Sequence, residues 1–112
     1  MIFKRIAIIG VGLIGGSLGL AVKKRNLARV VVGIGRRSSS VRKALRRGAI
    51  DIGTKDLAKG VAGADLVIIA TPVCSIQKIA RAIAGSLKEG AVLTDAGSTK
   101  GEVVRSVERC IS

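Results

Sequence analysis

The chain has no histidine, tryptophan or tyrosine, one phenylalanine (Phe3), one proline (Pro72) and two cysteines (Cys74 and Cys110) among its 112 residues. Each shortage excludes something. Two thiols far apart, with no imidazole, make neither a Cys/His zinc site nor a disulfide framework, and both cysteines are expected to be reduced and buried. With almost no aromatic rings, the core has to be aliphatic, drawn from the isoleucine, valine, leucine and alanine behind the 48% hydrophobic content. No apolar run reaches the roughly 18 residues of a membrane span. The first five residues run towards glycine-rich sequence, not a signal-type apolar segment with a cleavage site. No membrane partner is expected, and the cytoplasm is the expected setting. With one proline and no compositional break, residues 1–112 read as a single domain.

Acidic residues are also scarce: seven, against 20 Lys and Arg, for a net charge of +13. Such a balance suits a nucleic-acid binder. The basic residues, however, come in short groups, Lys23-Lys24-Arg25, Arg36-Arg37, Arg42-Lys43 and Arg46-Arg47, with no rings among them to stack on bases. Solvated helix faces and helix C-terminal ends account for them, so no nucleic-acid partner is expected.

What is present is a regular alternation. Residues 2–9 form a mostly apolar strand that runs into Gly10-Val11-Gly12-Leu13-Ile14-Gly15-Gly16, after which Ile14, Leu18, Ala21 and Val22 recur at helical spacing. A β-branched run at 29–35 supplies a parallel neighbour and completes a βαβ unit. Ser38, Ser39 or Ser40 is expected to cap a helix that turns Val41, Ala44 and Leu45 inward, with Gly48 stopping it. A short strand is expected near 49–52 and a brief helix over 56–62. Residues 65–70 do not alternate, as in a strand buried on both faces. Ile76, Ile79, Ala80, Ile83, Ala84 and Leu87 predict a further helix, 91–95 a fifth strand, and Val103, Val104, Val107 and Ile111 a last helix. The pattern predicts an α/β fold of Rossmann type, a doubly wound parallel sheet in the order 3-2-1-4-5. With no strand after the last helix, the chain reads as part of a longer protein.

Gly10-x-Gly12-x-x-Gly15 is weak as a bare pattern, but here it follows a strand, opens a helix and lies inside a βαβ unit. Gly10 permits the tight turn, Gly12 lets backbone approach a pyrophosphate, and Gly15 lets helix and strand pack closely, while the free amides at the helix start, Leu13 and Ile14, hold the phosphates. The end of the second strand selects the dinucleotide. A carboxylate there bonds the ribose 2′-hydroxyl of NAD, and arginine and small polar residues accommodate the 2′-phosphate of NADP. Here it reads Gly35-Arg36-Arg37-Ser38, without an acid, which leans to NADP over NAD. Thr71-Pro72 and Gly97-Ser98-Thr99-Lys100 follow the fourth and fifth strands, on the ligand-binding edge of such sheets. Thr71, Ser98 and Thr99 offer hydroxyls there, with helix capping as the simpler role for the last two. Without histidine to activate it, Cys74 is not expected to be catalytic.

Several stretches carry a more specific signal: Ile8-Ile9-Gly10-Val11-Gly12-Leu13-Ile14-Gly15-Gly16-Ser17-Leu18, Gly48-Ala49-Ile50-Asp51, Ala64-Asp65-Leu66-Val67, Ala70-Thr71-Pro72-Val73 and Thr94-Asp95-Ala96-Gly97-Ser98-Thr99-Lys100. In this order, over nearly the whole chain, they resemble the prephenate and arogenate dehydrogenases of tyrosine biosynthesis. The resemblance implies NAD(P)-dependent oxidative decarboxylation of prephenate to 4-hydroxyphenylpyruvate, or of arogenate to tyrosine. It implies that Ser98 assists a histidine that takes the ring hydroxyl proton. This chain departs from that pattern in having no histidine. The family's His-Pro motif is expected past Ser112, with the helical domain that supplies a substrate-binding arginine and the homodimer interface. The 112 residues alone are therefore expected to bind cofactor without turnover. The competing readings are a non-catalytic nucleotide-sensing module and another oxidoreductase with the same cofactor half.

Overall fold

A computed structural model of the chain describes residues 3–70 and 73–95. Among these, five strands and four helices alternate: β1 (Phe3–Ile9), α1 (Leu13–Lys24), β2 (Ala28–Ile34), α2 (Ser38–Arg46), β3 (Ile52–Thr54), α3 (Leu57–Val61), β4 (Leu66–Ile69), α4 (Val73–Ile83) and β5 (Val92–Asp95). A 3-10 turn at Ala84–Ser86 follows α4. The strands form one parallel sheet in the order β3-β2-β1-β4-β5, the order expected from the alternation.

Side chains alternate across a strand, so each central strand feeds two cores. Ile6 and Ile8 of β1 join Val31, Val41, Ala44 and Ile50 under α1 and α2. Ala7 and Ile9 join Val32, Ile34, Val67, Ile69 and Ile83 under α3 and α4. Both layers are aliphatic, as the shortage of rings requires. Their burial explains why the last four residues of β1, Ile6 to Ile9, and all of β4 read as unbroken apolar runs.

Some local expectations shift. α1 meets the sheet through Gly15, Gly19 and Val22, and Ala21 is exposed. The approach is close: a Cβ on Gly15 would lie 1.9 Å from the carbonyl oxygen of Gly10, and one on Gly19 would lie 2.2 Å from that of Ala49. No serine caps α2. Its N-cap is Arg37, in extended conformation, and the amide of Val41 donates to the carbonyl of Arg37 at 3.2 Å. That start buries Val41 and Ala44 and leaves Leu45 40% exposed, contrary to the inward position expected for it. β3 begins at Ile52, because Ala49 and Ile50, although buried, occupy a turn in which the Ala49 amide donates to Ala44 and the Asp51 amide to Val31. Ala84 is exposed, where α4 tightens into the 3-10 turn. The helix expected after residue 100, together with Thr71, Pro72, Ser98, Thr99, Lys100 and Cys110, lies outside the described residues.

Two carboxylates tie the strand ends opposite the glycine turn. Asp65 accepts from the amides of Lys4 (2.8 Å) and Arg5 (3.0 Å) and pairs with Lys88. The Lys88 ammonium, then the Arg5 amide, hold its carboxyl below the ordinary 3.8, at about 2. Asp51 accepts from the Val31 amide (2.8 Å) and pairs with Lys23. Burial pushes its carboxyl up, but the Lys23 and Val31 hydrogen bonds outweigh this and leave it below the usual range.

Candidate functional site

β1 ends at Ile9 and the chain turns at Gly10, whose φ of +95° lies in the region that disfavours side chains. The Gly10 amide donates to the carbonyl of Ile34 at 2.7 Å, which ties the turn to the end of β2. Gly12 is the N-cap of α1; it offers no side-chain cap, and no acidic residue stands in the first turn. The first amides of a helix have no intrahelical partner and carry the positive end of its dipole. This start is therefore suited to an anion.

In front of it opens a cavity of about 390 Å³. Gly10, Gly12, Arg36, Arg37, Ser40 and Lys55 contribute its polar and backbone wall. Ile34, Leu57 and Ile79 line it with apolar surface, suited to a flat heterocycle. A Cβ on Gly12 would meet nothing within 4 Å, so the space above this backbone is open to a ligand. A dinucleotide fits what is present: amides for the diphosphate, apolar wall for the base, cations beside the ribose.

Of the residues expected from the sequence, the structure brings Gly10, Gly12, Arg36 and Arg37 to one cavity. Gly15 is buried beneath the turn, packed on Gly10, and Leu13 and Ile14 open α1. Ser38 opens α2 and is not part of the cavity wall. Asp95 ends β5, and Cys74 falls in the first turn of α4. Sequence reasoning missed Ser40 and Lys55. The first was noticed only as a possible cap, and the second reaches the cavity because β2 and β3 pair with Ile34 beside Thr54, the residue before it.

The absence of an acid at the end of β2 has a steric counterpart. A Cβ on Gly35 would lie 2.9 Å from Cγ2 of Val41 and 3.0 Å from Cγ2 of Val11, so a carboxylate-bearing residue there displaces core side chains. Among the described residues, no group of three or more His, Cys, Asp or Glu is placed to hold a metal ion, and no helix is long and apolar enough to cross a membrane.

Known proteins share this arrangement. Residues 18–112 match the family described as prephenate dehydrogenase, nucleotide-binding domain. The chain is 39% identical over 110 residues to the prephenate dehydrogenase of Lactococcus lactis subsp. cremoris, covering 97% of this chain and 30% of that protein. It is 37% identical over 110 residues to the cyclohexadienyl dehydrogenase of Zymomonas mobilis subsp. mobilis, covering 96% and 36% respectively. The crystal structure of prephenate dehydrogenase from A. aeolicus, in complex with hydroxyphenyl propionate and NAD+, matches with a TM-score of 0.86 at 29% identity, over 97% of this chain and 38% of that one. The chain thus spans between 30% and 38% of the length of these relatives.

Proposed function

The chain belongs to the prephenate dehydrogenase family through its nucleotide-binding domain, and from that premise we propose that it is the cofactor half of an NADP-preferring enzyme that oxidatively decarboxylates prephenate to 4-hydroxyphenylpyruvate. The observation that carries the cofactor assignment is the cavity wall itself, two glycine backbones on one side and Arg36 and Arg37 on the other. Bound there, the oxidised cofactor supplies a hydride acceptor. The amides at Gly12 and the first turn of α1 hold the diphosphate, and Ile34, Leu57 and Ile79 exclude water around the base. Arg36 and Arg37 meet the 2′-phosphate, where a planar guanidinium makes two parallel hydrogen bonds. A carboxylate at position 35 would repel that group, and packing against Val11 and Val41 disfavours one.

Ser98 is the proposed catalytic residue of this chain, assisting removal of the ring hydroxyl proton, and Thr71 and Pro72 are proposed to line the nicotinamide side; these roles rest on the motif resemblance. The same resemblance supports a homodimeric parent and a cytoplasmic setting. Arogenate, with an amino group in place of the keto group of prephenate, is the alternative substrate.

Titration of NADP and NAD into the wild-type chain and the Arg36→Ala and Arg37→Ala variants tests the cofactor reading. NADP is expected to bind more tightly, and each lost charge-assisted contact to weaken NADP by about tenfold with little change for NAD. Tighter NAD binding that ignores Arg37→Ala would end the assignment.

A further inference from the structure

A second recess, of about 230 Å³, opens between the start of α1 and α2, where Gly12 and Gly16 face Ser40, Lys43 and Arg47. It shares Val11, Gly12 and Ser40 with the dinucleotide cavity, so the two spaces adjoin at these residues. Ser40, Lys43 and Arg47 stand three and four residues apart, which puts them on one stripe of the helix. The other basic residues of α2 lie elsewhere: Arg42 and Arg46 border a separate hollow with Ser39 and Leu45. The basic character of α2 is therefore divided between two faces, and one of them is turned to the glycine turn.

Among the described residues, no carboxylate lines that recess. Asp51 is engaged by Lys23 and the Val31 amide, Asp65 by Lys88 and the amides of Lys4 and Arg5, and Asp56 by the Lys59 amide. Lys43 and Arg47, one helical turn apart, repel each other. Both border the first turn of α1, which holds no acid and carries a positive partial charge. Three sources of one sign around a small recess focus a field that a doubly charged anion relieves. The anion of that charge nearest to hand, on the NADP reading above, is the 2′-phosphate.

We propose that the recess is the rear half of a 2′-phosphate clamp, in which Ser40, Lys43 and Arg47 are specificity-determining residues that complement Arg36 and Arg37 on the crevice side. Ser40 stands at the shared wall and donates its hydroxyl to the phosphate. Lys43 and Arg47, exposed like Arg36 and Arg37, neutralise the phosphate from the α2 side of the recess. The proposal rests on NADP being the preferred cofactor, and it adds that preference is built by α2 as well as by the loop after β2.

The test is calorimetric titration of NADP, NAD and 2′,5′-ADP, at fixed ionic strength, into the full chain and into Ser40→Ala, Lys43→Gln, Arg47→Gln and the Lys43→Gln/Arg47→Gln double variant. In the double variant NADP and 2′,5′-ADP are expected to weaken by about tenfold or more while NAD changes less than about twofold. Arg42→Gln/Arg46→Gln, which removes the same charge from the other face of α2, is the control and is expected to leave the NADP to NAD ratio intact. Equal loss for NADP and NAD, an unchanged ratio in the Lys43/Arg47 variant, or an equal effect in the control overturns the clamp. If Arg36→Ala and Arg37→Ala abolish NADP preference while the Lys43/Arg47 variant keeps it, the clamp fails and the NADP reading stands; a wild-type preference for NAD overturns both. Inorganic phosphate that competes with NADP but not with NAD, and loses that competition in the Lys43→Gln/Arg47→Gln variant, supports the clamp; phosphate that weakens both cofactors alike, or competes equally well in that variant, counts against it.

Discussion

Gly35 decides more than its size suggests. Its missing side chain leaves the end of β2 without an acid, and the space a side chain would need is held by Val41 and Val11. Gly35→Asp alone is expected to destabilise the domain by about 1–3 kcal/mol, the usual cost of overpacking, as a fall in thermal midpoint. It is not expected to create a good NAD site, because the new carboxylate arrives with a shifted Val41. Combined with Val41→Ala, which removes the 2.9 Å contact, the same change is expected to restore the midpoint in part, strengthen NAD and weaken NADP by about tenfold through like-charge repulsion. NADP binding that survives the pair would show that position 35 does not face the 2′-phosphate. At Gly15 there is no such remedy. A Cβ there meets backbone, 1.9 Å from the Gly10 oxygen, and a carbonyl in a turn has no rotamer to escape into. Gly15→Ala is expected to abolish nucleotide binding together with the cooperative unfolding transition, whereas Gly12→Ala, with no atom within 4 Å of the new methyl, is expected to fold and to lose binding only.

At the scale of elements, the two ends of the sheet divide structure from function. The glycine turn and the arginine loop stand at the C-terminal edge. At the other edge Asp65 joins the start of β1 to β4 and, through Lys88, to the approach to β5. Its folded pKa of about 2 lies below the ordinary 3.8, so its contribution is complete above the unfolded value and is lost as pH falls through the folded one. Stability is therefore expected to decline between about pH 4 and pH 2, with Asp51 acting in the same direction. Asp65→Asn is expected to flatten that decline in chemical denaturation at several pH values while leaving nucleotide affinity near neutrality unchanged; an unaltered acid slope would refute the assignment. Elements were legible in the sequence where one cause dominated. The unalternating run of β4 announces burial on both faces, and glycine spacing announces the turn. They were less legible where tertiary contact chose among equal local options. Ala49 and Ile50 read as strand because they are apolar, yet they are buried in a turn beneath α1. Three successive serines gave three possible caps, and the burial of Val41 and Ala44 selected a start with none of them. On α2 any basic amphipathic helix shows the same residues, so the split between the Lys43 and Arg46 faces appears only when α1 is set beside it.

For the molecule as a whole, the +13 charge takes on a more local meaning once the fold is drawn. Arg36, Arg37, Ser40, Lys43, Arg47 and Lys55 gather around two adjoining cavities, and cations at that density suit a phosphorylated small molecule. Binding a site is not the same as running the reaction. Hydride transfer needs the donor carbon held within about 3 to 3.5 Å of the acceptor, and the ring hydroxyl has to lose its proton to a positioned base. The chain contains no histidine, and among the described residues the walls of the dinucleotide cavity carry cations, amides and aliphatic groups but no carboxylate. On the proposed reading, the 112-residue chain mixed with prephenate and NADP is expected to bind the cofactor, seen as heat release, and to yield neither reduced cofactor nor carbon dioxide. Supplying the rest of a relative's chain in fusion, with its own proton acceptor, is expected to restore turnover in a manner sensitive to Ser98→Ala. Sustained turnover by the 112 residues alone would mean that a base other than histidine serves the reaction, and that Ser98 and its neighbours do more than assist.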